Sequence, residues 1–274
     1  MLLRVFTKRI MKKEFKYKVS IVAIIKNEAP YIEEWIKYHL IIGVEHFYIF
    51  DNGSTDGTLK IMKPYIDDNI ITLINFPGFK MQIKAYNTAI KKFKNYTKYM
   101  AFIDADEFIY PHDKKSVLEI LEKHLTKFNY GGLAVNWRMF GSSGHEKKPN
   151  GYVISNYLYR ADDKTGAGNE CIKSIVNPRK VLFFHNPHYP IYFPLFYSIS
   201  EKNKRVRKWK NHDDHIDEIQ LNHYFTKSKE EWITRRSVAR ADTGTKRQME
   251  EFYKHDNNDI YDEGMLYYAE LLNK

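Results

Sequence analysis

The chain has 274 residues, one cysteine (Cys171) and a formal net charge of +10. That length fits one large domain, the lone cysteine excludes an internal disulfide and a cysteine-built zinc cluster, and no stretch approaches the ~20 apolar residues of a membrane-spanning helix. The N-terminus also lacks the apolar core of a signal peptide, so a reducing, cytoplasmic compartment is expected.

Residues 1–18 read as a basic leader. Arg4, Lys8, Arg9, Lys12, Lys13, Lys16 and Lys18 stand against Glu14, while Leu3, Phe6 and Ile10 recur at helical spacing. Such a segment suits peripheral contact with the anionic inner face of a membrane, or solvation as a leader. Alternation of strand and helix then begins. Val19–Ile25 is an apolar run ending at Lys26-Asn27-Glu28, and Pro30 precedes a helical pattern that Gly43 stops. His46–Phe50 reads as a second strand ending at Asp51-Asn52-Gly53-Ser54, with Ser54 or Thr55 expected to cap the next helix. Ile70–Phe76 is a third strand, residues 80–95 a helix, and Tyr99–Ile103 a fourth strand running into Asp104-Ala105-Asp106-Glu107. This order predicts an α/β domain with a mostly parallel, Rossmann-like sheet flanked by helices, which binds ligands at the carboxyl ends of its strands.

Beyond Pro111 the pattern loosens. Val117–Phe128 reads as a helix, Gly132–Phe140 as a strand, and 151–160, 172–177 and 180–185 as shorter extended pieces. Residues 186–215 look irregular, and they include a basic run from Lys202 to Lys210. The tail from Lys229 looks helical. The chain thus divides into a leader (1–18), a donor-binding half (19–111), an acceptor-side half of the same domain (112–228) and a helical tail (229–274).

Three polar clusters follow strands and should converge on one sheet edge. In an extended backbone Asp104 and Asp106 point to one face, and two adjacent carboxylates favour a shared hard cation, Mn²⁺ or Mg²⁺, which also binds phosphate oxygens; the alternative is a turn in which one Asp caps the next helix. Lys26, Asn27 and Glu28 supply a cation, an amide and an acid. Asp51, Asn52, Ser54 and Asp56 suit a ribose, a base edge or an anion at a helix N-terminus, or a tight turn. Gln82 and Tyr86 share one helical face, and with Asn87 they are expected to line a donor pocket or to pack helix on sheet.

The succession Asn27-Glu28, Glu34-Trp35, Tyr38-His39, Gly43-Val44, Asp51-Asn52-x-Ser54-x-Asp56 and Asp104-Ala105-Asp106-Glu107-Phe108 resembles the family-2-like glycosyltransferases, and most of all family 92. The resemblance continues through Asn136-Trp137-x-x-Phe140-Gly141-Ser142-Ser143-Gly144-His145, Lys173-Ser174-Ile175-Val176-x-Pro178, His185-x-Pro187 and Asn222-His223-Tyr224-x-x-Lys227-Ser228. It implies a GT-A fold and a nucleotide-sugar donor, plausibly a UDP-hexose. It also implies a divalent ion held by Asp104, Asp106 and His223, with Ala105 at the donor. The acceptor would be a glycan or a lipid-linked sugar in surface polysaccharide synthesis, met by Trp137, Gly144, His145 and His185. Transfer with inversion needs a base; Asp242, Glu146, Asp213 and Asp214 are the candidates, although Arg235-Arg236-Ser237-Val238 departs from the family pattern near Asp242. A nucleotidyl- or phosphosugar transferase would show a glycine-rich loop where Lys26–Pro30 stands. A nucleic-acid partner is not expected, because no recognised module accompanies the basic charge.

Overall fold

A run such as Val19–Ile25, apolar but for Ser20, is stable when covered on both faces, and all seven of its residues are buried. In the computed structural model, which describes residues 14–212, 216–236, 246 and 248–274, it forms the core of β1 (Tyr17–Ile25). α1 (Ile32–Ile41), β2 (His46–Asp51), α2 (Thr58–Asp67), β3 (Ile71–Asn75), α3 (Gln82–Phe93) and β4 (Thr97–Phe102) follow in the expected alternation. β1 pairs in parallel with β2 and β4, and β2 in parallel with β3. The pleat splits β1 between two cores. Val19, Ile21 and Ala23 pack with Trp35, Ile36 and Phe47, while Val22 and Ile24 pack with Phe50, Phe102 and Tyr86 of α3. Each large apolar side chain buried in this way contributes about 1.5–3 kcal/mol.

The second half is woven into the same sheet. It is led in by β5 (Glu107–Pro111), a strand at the end of the first half that the sequence pattern did not announce, and opens with α4 (Val117–His124). A Ser116–Glu119 capping box starts α4, which ends four residues before the expected Phe128. β6 (Tyr130–Met139) follows. Residues 151–160, expected to be extended, hold α5 (Val153–Asn156) and only the short β7 (Tyr159–Arg160). β8 (Ile172–Val176), β9 (Val181–Phe184), β10 (Pro190–Tyr192), β11 (Tyr197–Ile199), β12 (Arg205–Val206) and β13 (Ile219–His223) come next, so the stretch expected to be irregular carries short strands. The tail supplies α6 (Lys229–Arg236), α7 (Met249–His255), β14 (Ile260–Tyr261) and α8 (Leu266–Leu272).

β8 lies antiparallel between β4 and β6, giving the order β12-β11-β6-β8-β4-β1-β2-β3. β13 pairs antiparallel with β5 and parallel with the end of β6, so that His223 sits across from both Glu107 and Met139. α8 returns to α1, where Tyr268 meets Tyr38 with ring centres 5.3 Å apart. The result is a mixed α/β architecture whose β4-β1-β2-β3 portion is parallel. Among the described residues no helix is long and apolar enough to cross a membrane.

Candidate active site

The loops after β1 and β2 are tied together by hydrogen bonds from backbone amides to side-chain oxygens. The Asn27 amide donates to Ser54 Oγ (3.0 Å), the Thr55 amide to Asn27 Oδ1 (2.8 Å), the Glu28 amide to Thr58 Oγ1 (2.8 Å) and the Ala29 amide to Asp56 Oδ2 (3.1 Å). Asn27 has φ 57°, a left-handed conformation that asparagine tolerates better than most residues. Burial by itself raises the Asp56 carboxyl, but hydrogen bonds from Thr58 and Ala29 outweigh it and hold the group below the usual carboxylate range. Asp56 also accepts from the Thr58 amide (2.9 Å), and so does the work at the start of α2 expected of Ser54 or Thr55. Asp51 accepts from the amides of Gly53 and Ser54. Asp51 and Ser54 therefore brace the turn, while Lys26, Asn27, Glu28, Asn52 and Asp56 line a cleft of about 730 Å³. Asn52 Oδ1 accepts from the Gly78 amide (2.8 Å), which fixes the Gly78–Lys80 segment as the neighbouring rim.

Asp104, Ala105 and Asp106 line the same cleft, but as a turn rather than as the extended strand end that was expected. The Glu107 amide donates to the Asp104 carbonyl (3.1 Å) and the Asp104 amide to Glu107 Oε2 (2.8 Å). The two carboxylates have different partners. Asp104 Oδ1 accepts from Gln82 Nε2 (2.7 Å) and Tyr86 OH (3.4 Å), and Asp104 Oδ2 faces Lys173 Nζ at 2.8 Å. Asp106 Oδ1 lies 3.6 Å from His223 Nε2. Asp104, expected as a metal ligand, is thus already matched by an ammonium of the protein itself.

Lys173 is 1% exposed in the middle of β8, and its Nζ also stands 3.5 Å from Glu107 Oε2, on a fully buried side chain. Burial opposes the Lys173 charge, yet Asp104 and Glu107 outweigh it and push the ammonium well above the usual lysine range. Burial likewise pushes the Glu107 carboxyl well up, against the pull of Lys173. Sequence reasoning did not assign Lys173 a role. Its signal was a lone lysine inside a buried strand, which demands an acidic partner.

The rest of the cleft comes from distant segments: Trp137 and Met139 of β6, Cys171, Pro187, His188, His223, and Glu251 and His255 of α7. Burial, with the Lys173 charge behind it, lowers His188 to about 4, so its imidazole is neutral near pH 7. Its Nδ1 lies 3.0 Å from the Ile172 carbonyl, and donation there leaves Nε2 as an acceptor. Burial pushes the Cys171 thiol up to about 12, which rules it out as a thiolate nucleophile near neutral pH. The Trp137 and His223 rings pack at a tilt, with centres 4.3 Å apart and planes inclined by 54°, so the indole supports the imidazole.

Several expected residues stand elsewhere. Asn87 exchanges two hydrogen bonds with the Phe184 backbone (2.8 and 2.7 Å) and pins β9 instead of lining the cleft. Gly144 and His145 belong to a loop bound to the tail through Ser142–Asp256 and Ser143–Asn258 hydrogen bonds, and His145 Nε2 meets the Asn156 carbonyl (3.1 Å). His185 is exposed beside the hairpin, two residues short of Pro187, which does line the cleft. The Glu146 side chain is 78% exposed and faces Lys229 at 3.5 Å, outside the cleft lining. Asp213, Asp214, Asp242 and leader residues 1–13 lie outside the described residues.

A family model for glycosyltransferase family 92 matches residues 19–251. The chain belongs to glycosyltransferase family 92. A family-92 protein of Oryza sativa subsp. japonica is 28% identical over 163 residues, which cover 59% of this chain and 27% of the relative. A galactan beta-1,4-galactosyltransferase of Arabidopsis thaliana is 31% identical over 100 residues, covering 33% of this chain and 19% of the relative. The matches therefore span less than a third of the length of these curated relatives. Among solved structures, Staphylococcus aureus TarS 1–349 in complex with UDP has 18% identity and a TM-score of 0.36, over 59% of this chain and 47% of that one.

Proposed function

We propose that this family-92 chain transfers a hexose from a nucleotide-sugar donor to a glycan or lipid-linked acceptor, with the reacting groups held in the cleft at the strand ends. The carrying observation is the Asp106–His223 pair, 3.6 Å apart at the cleft, beside loops rich in hydrogen-bonding groups that are fixed independently of any ligand. The family membership and the galactosyltransferase relatives support the hexosyl class.

The donor set suits one hard or borderline divalent ion, Mn²⁺ or Mg²⁺. A carboxylate oxygen and an imidazole nitrogen at this separation can both reach such an ion, and diphosphate oxygens and water commonly complete its shell. Among the described residues no group of three or more His, Cys, Asp or Glu side chains gathers around a metal position, so the protein's share would be Asp106 and His223. When bound, the ion supplies charge stabilisation for the leaving diphosphate. Asp104, held by Gln82, Tyr86 and Lys173, is an oriented hydrogen-bond acceptor for a donor hydroxyl. Inverting transfer requires a proton acceptor, and Glu251 is the described cleft carboxylate outside the two donor loops and the acidic turn.

A screen of UDP-galactose, UDP-glucose and other nucleotide sugars for Mn²⁺-dependent turnover tests this reading. Asp106→Asn should lower turnover about 100-fold with an unchanged melting temperature, and Glu251→Gln should lower transfer to acceptor. Full activity in Asp106→Asn would remove the metal role, and full activity in Glu251→Gln would remove the base.

A further inference from the structure

β9 and β10 form a two-stranded hairpin apart from the central sheet. Its inner face, with Val181, Phe184 and Tyr192, is buried against Tyr86 and Phe102. Exposed apolar side chains stand on and beside the hairpin. Leu182, Phe183 and Phe193 are exposed, Leu195 is 78% exposed, and Phe128, whose ring lies 5.2 Å from that of Phe196, is 76% exposed. Five large exposed apolar side chains on the hairpin and the segments beside it are not explained by core packing.

The surroundings are basic. Asn87 fastens α3 alongside β9 through the Phe184 backbone. Lys84 and Lys91, three residues before and four after Asn87, share its stripe of the helix and are exposed. Lys180 anchors its ammonium on the Phe128 and Tyr130 carbonyls (2.7 Å each), under the Phe128 and Phe196 rings. Neither segment that builds this face, 69–103 or 171–200, contains an Asp or Glu.

We propose that the β9–β10 hairpin and the adjoining stripe of α3 dock on an anionic lipid bilayer. Leu182, Phe183, Phe193 and Leu195 would enter the acyl boundary, while Lys84 and Lys91 remain among the headgroup phosphates. A polynucleotide would match the lysines but would give nothing back for the aliphatic tips of Leu182 and Leu195. The loop that joins the two strands carries Pro187 and His188 into the cleft wall, so docking sets that wall beside the lipid surface. The docking stands on the surface alone, whether or not sugar transfer is the chemistry.

The test is sedimentation of the full chain with vesicles of equimolar phosphatidylcholine and phosphatidylglycerol. The chain should pellet with these, remain in solution with phosphatidylcholine alone, and be released by salt. The Leu182→Ser/Phe183→Ser/Leu195→Ser variant and, separately, Lys84→Glu/Lys91→Glu should each weaken partition by about tenfold or more, with melting temperatures unchanged. A leader variant, Lys8→Ser/Arg9→Ser/Lys12→Ser/Lys13→Ser, should keep its sensitivity to the hairpin changes. Undiminished partition in both surface variants overturns the proposal, as does pelleting that follows the leader charges alone. It is also overturned if the chain ignores the vesicles and instead binds single-stranded RNA through Lys84 and Lys91.

Discussion

The two halves of the chain reach the cleft by different routes. Residues 17–102 build one parallel run, β4-β1-β2-β3, from consecutive strand–helix units, and each polar group of the near wall follows its strand end by a few positions. Asn27 meets Ser54 and Thr55 because β1 and β2 are paired in register from Ser20–His46 to Ile25–Asp51. Residues 112–228 insert themselves instead. β8 enters between β4 and β6, and β13 between β5 and β6. Only these insertions bring Lys173 to Asp104 and His223 to Asp106. The near wall is therefore a set of preformed loops, whereas the electrostatic character of the acidic turn is decided by the strands that the second half contributes.

The sharpest way to break this contrast is Lys173→Met. It removes the ammonium that faces two carboxyls, one of them fully buried, and should cost about 3–5 kcal/mol in urea unfolding. A loss below about 1 kcal/mol would mean that the seam between the halves is not held electrostatically.

A second seam is Glu34 of α1, which accepts the Val153 and Ile154 amides (2.9 and 3.0 Å) at the start of α5. Burial dominates and lifts its carboxyl from 4.5 to about 7, against those hydrogen bonds and the charges of Lys227 and Lys148. The folded state therefore holds this proton more tightly than the unfolded chain. The Glu34 contribution is fully present below about pH 4.5 and is lost as pH rises through about 7, with a slope of up to about 1.4 kcal/mol per pH unit. Glu34→Gln should flatten that part of the stability–pH profile, and superimposable wild-type and variant slopes would dismiss the seam.

The smallest effect belongs to the local half. Asn27→Ala loses the Thr55 acceptor and places alanine at φ 57°, which should cost about 1–2 kcal/mol in the same unfolding measurement. Asn27→Gly should recover part of it. Equal costs for the two variants would show that the hydrogen bond, and not the backbone conformation, matters at this turn.

The sequence by itself determined the alternation of the first hundred residues, the side of the sheet on which polar groups gather, and the family. Those features rest on short-range periodicity, on turn residues at strand ends and on ordered motifs, all of which survive without knowledge of distant contacts. It pointed to the acidic turn and to His223, but by an extended geometry that the chain does not adopt at Asp104–Asp106. Only the tertiary structure decided that Lys173 matches Asp104, that His188 and α7 wall the cleft, and that Asn87, His145 and Glu146 stand outside it. The physical reason is strand order. Which strand a short apolar run pairs with, and so which buried charge meets which, depends on competition among all the strands for one sheet, and no window of sequence contains that competition.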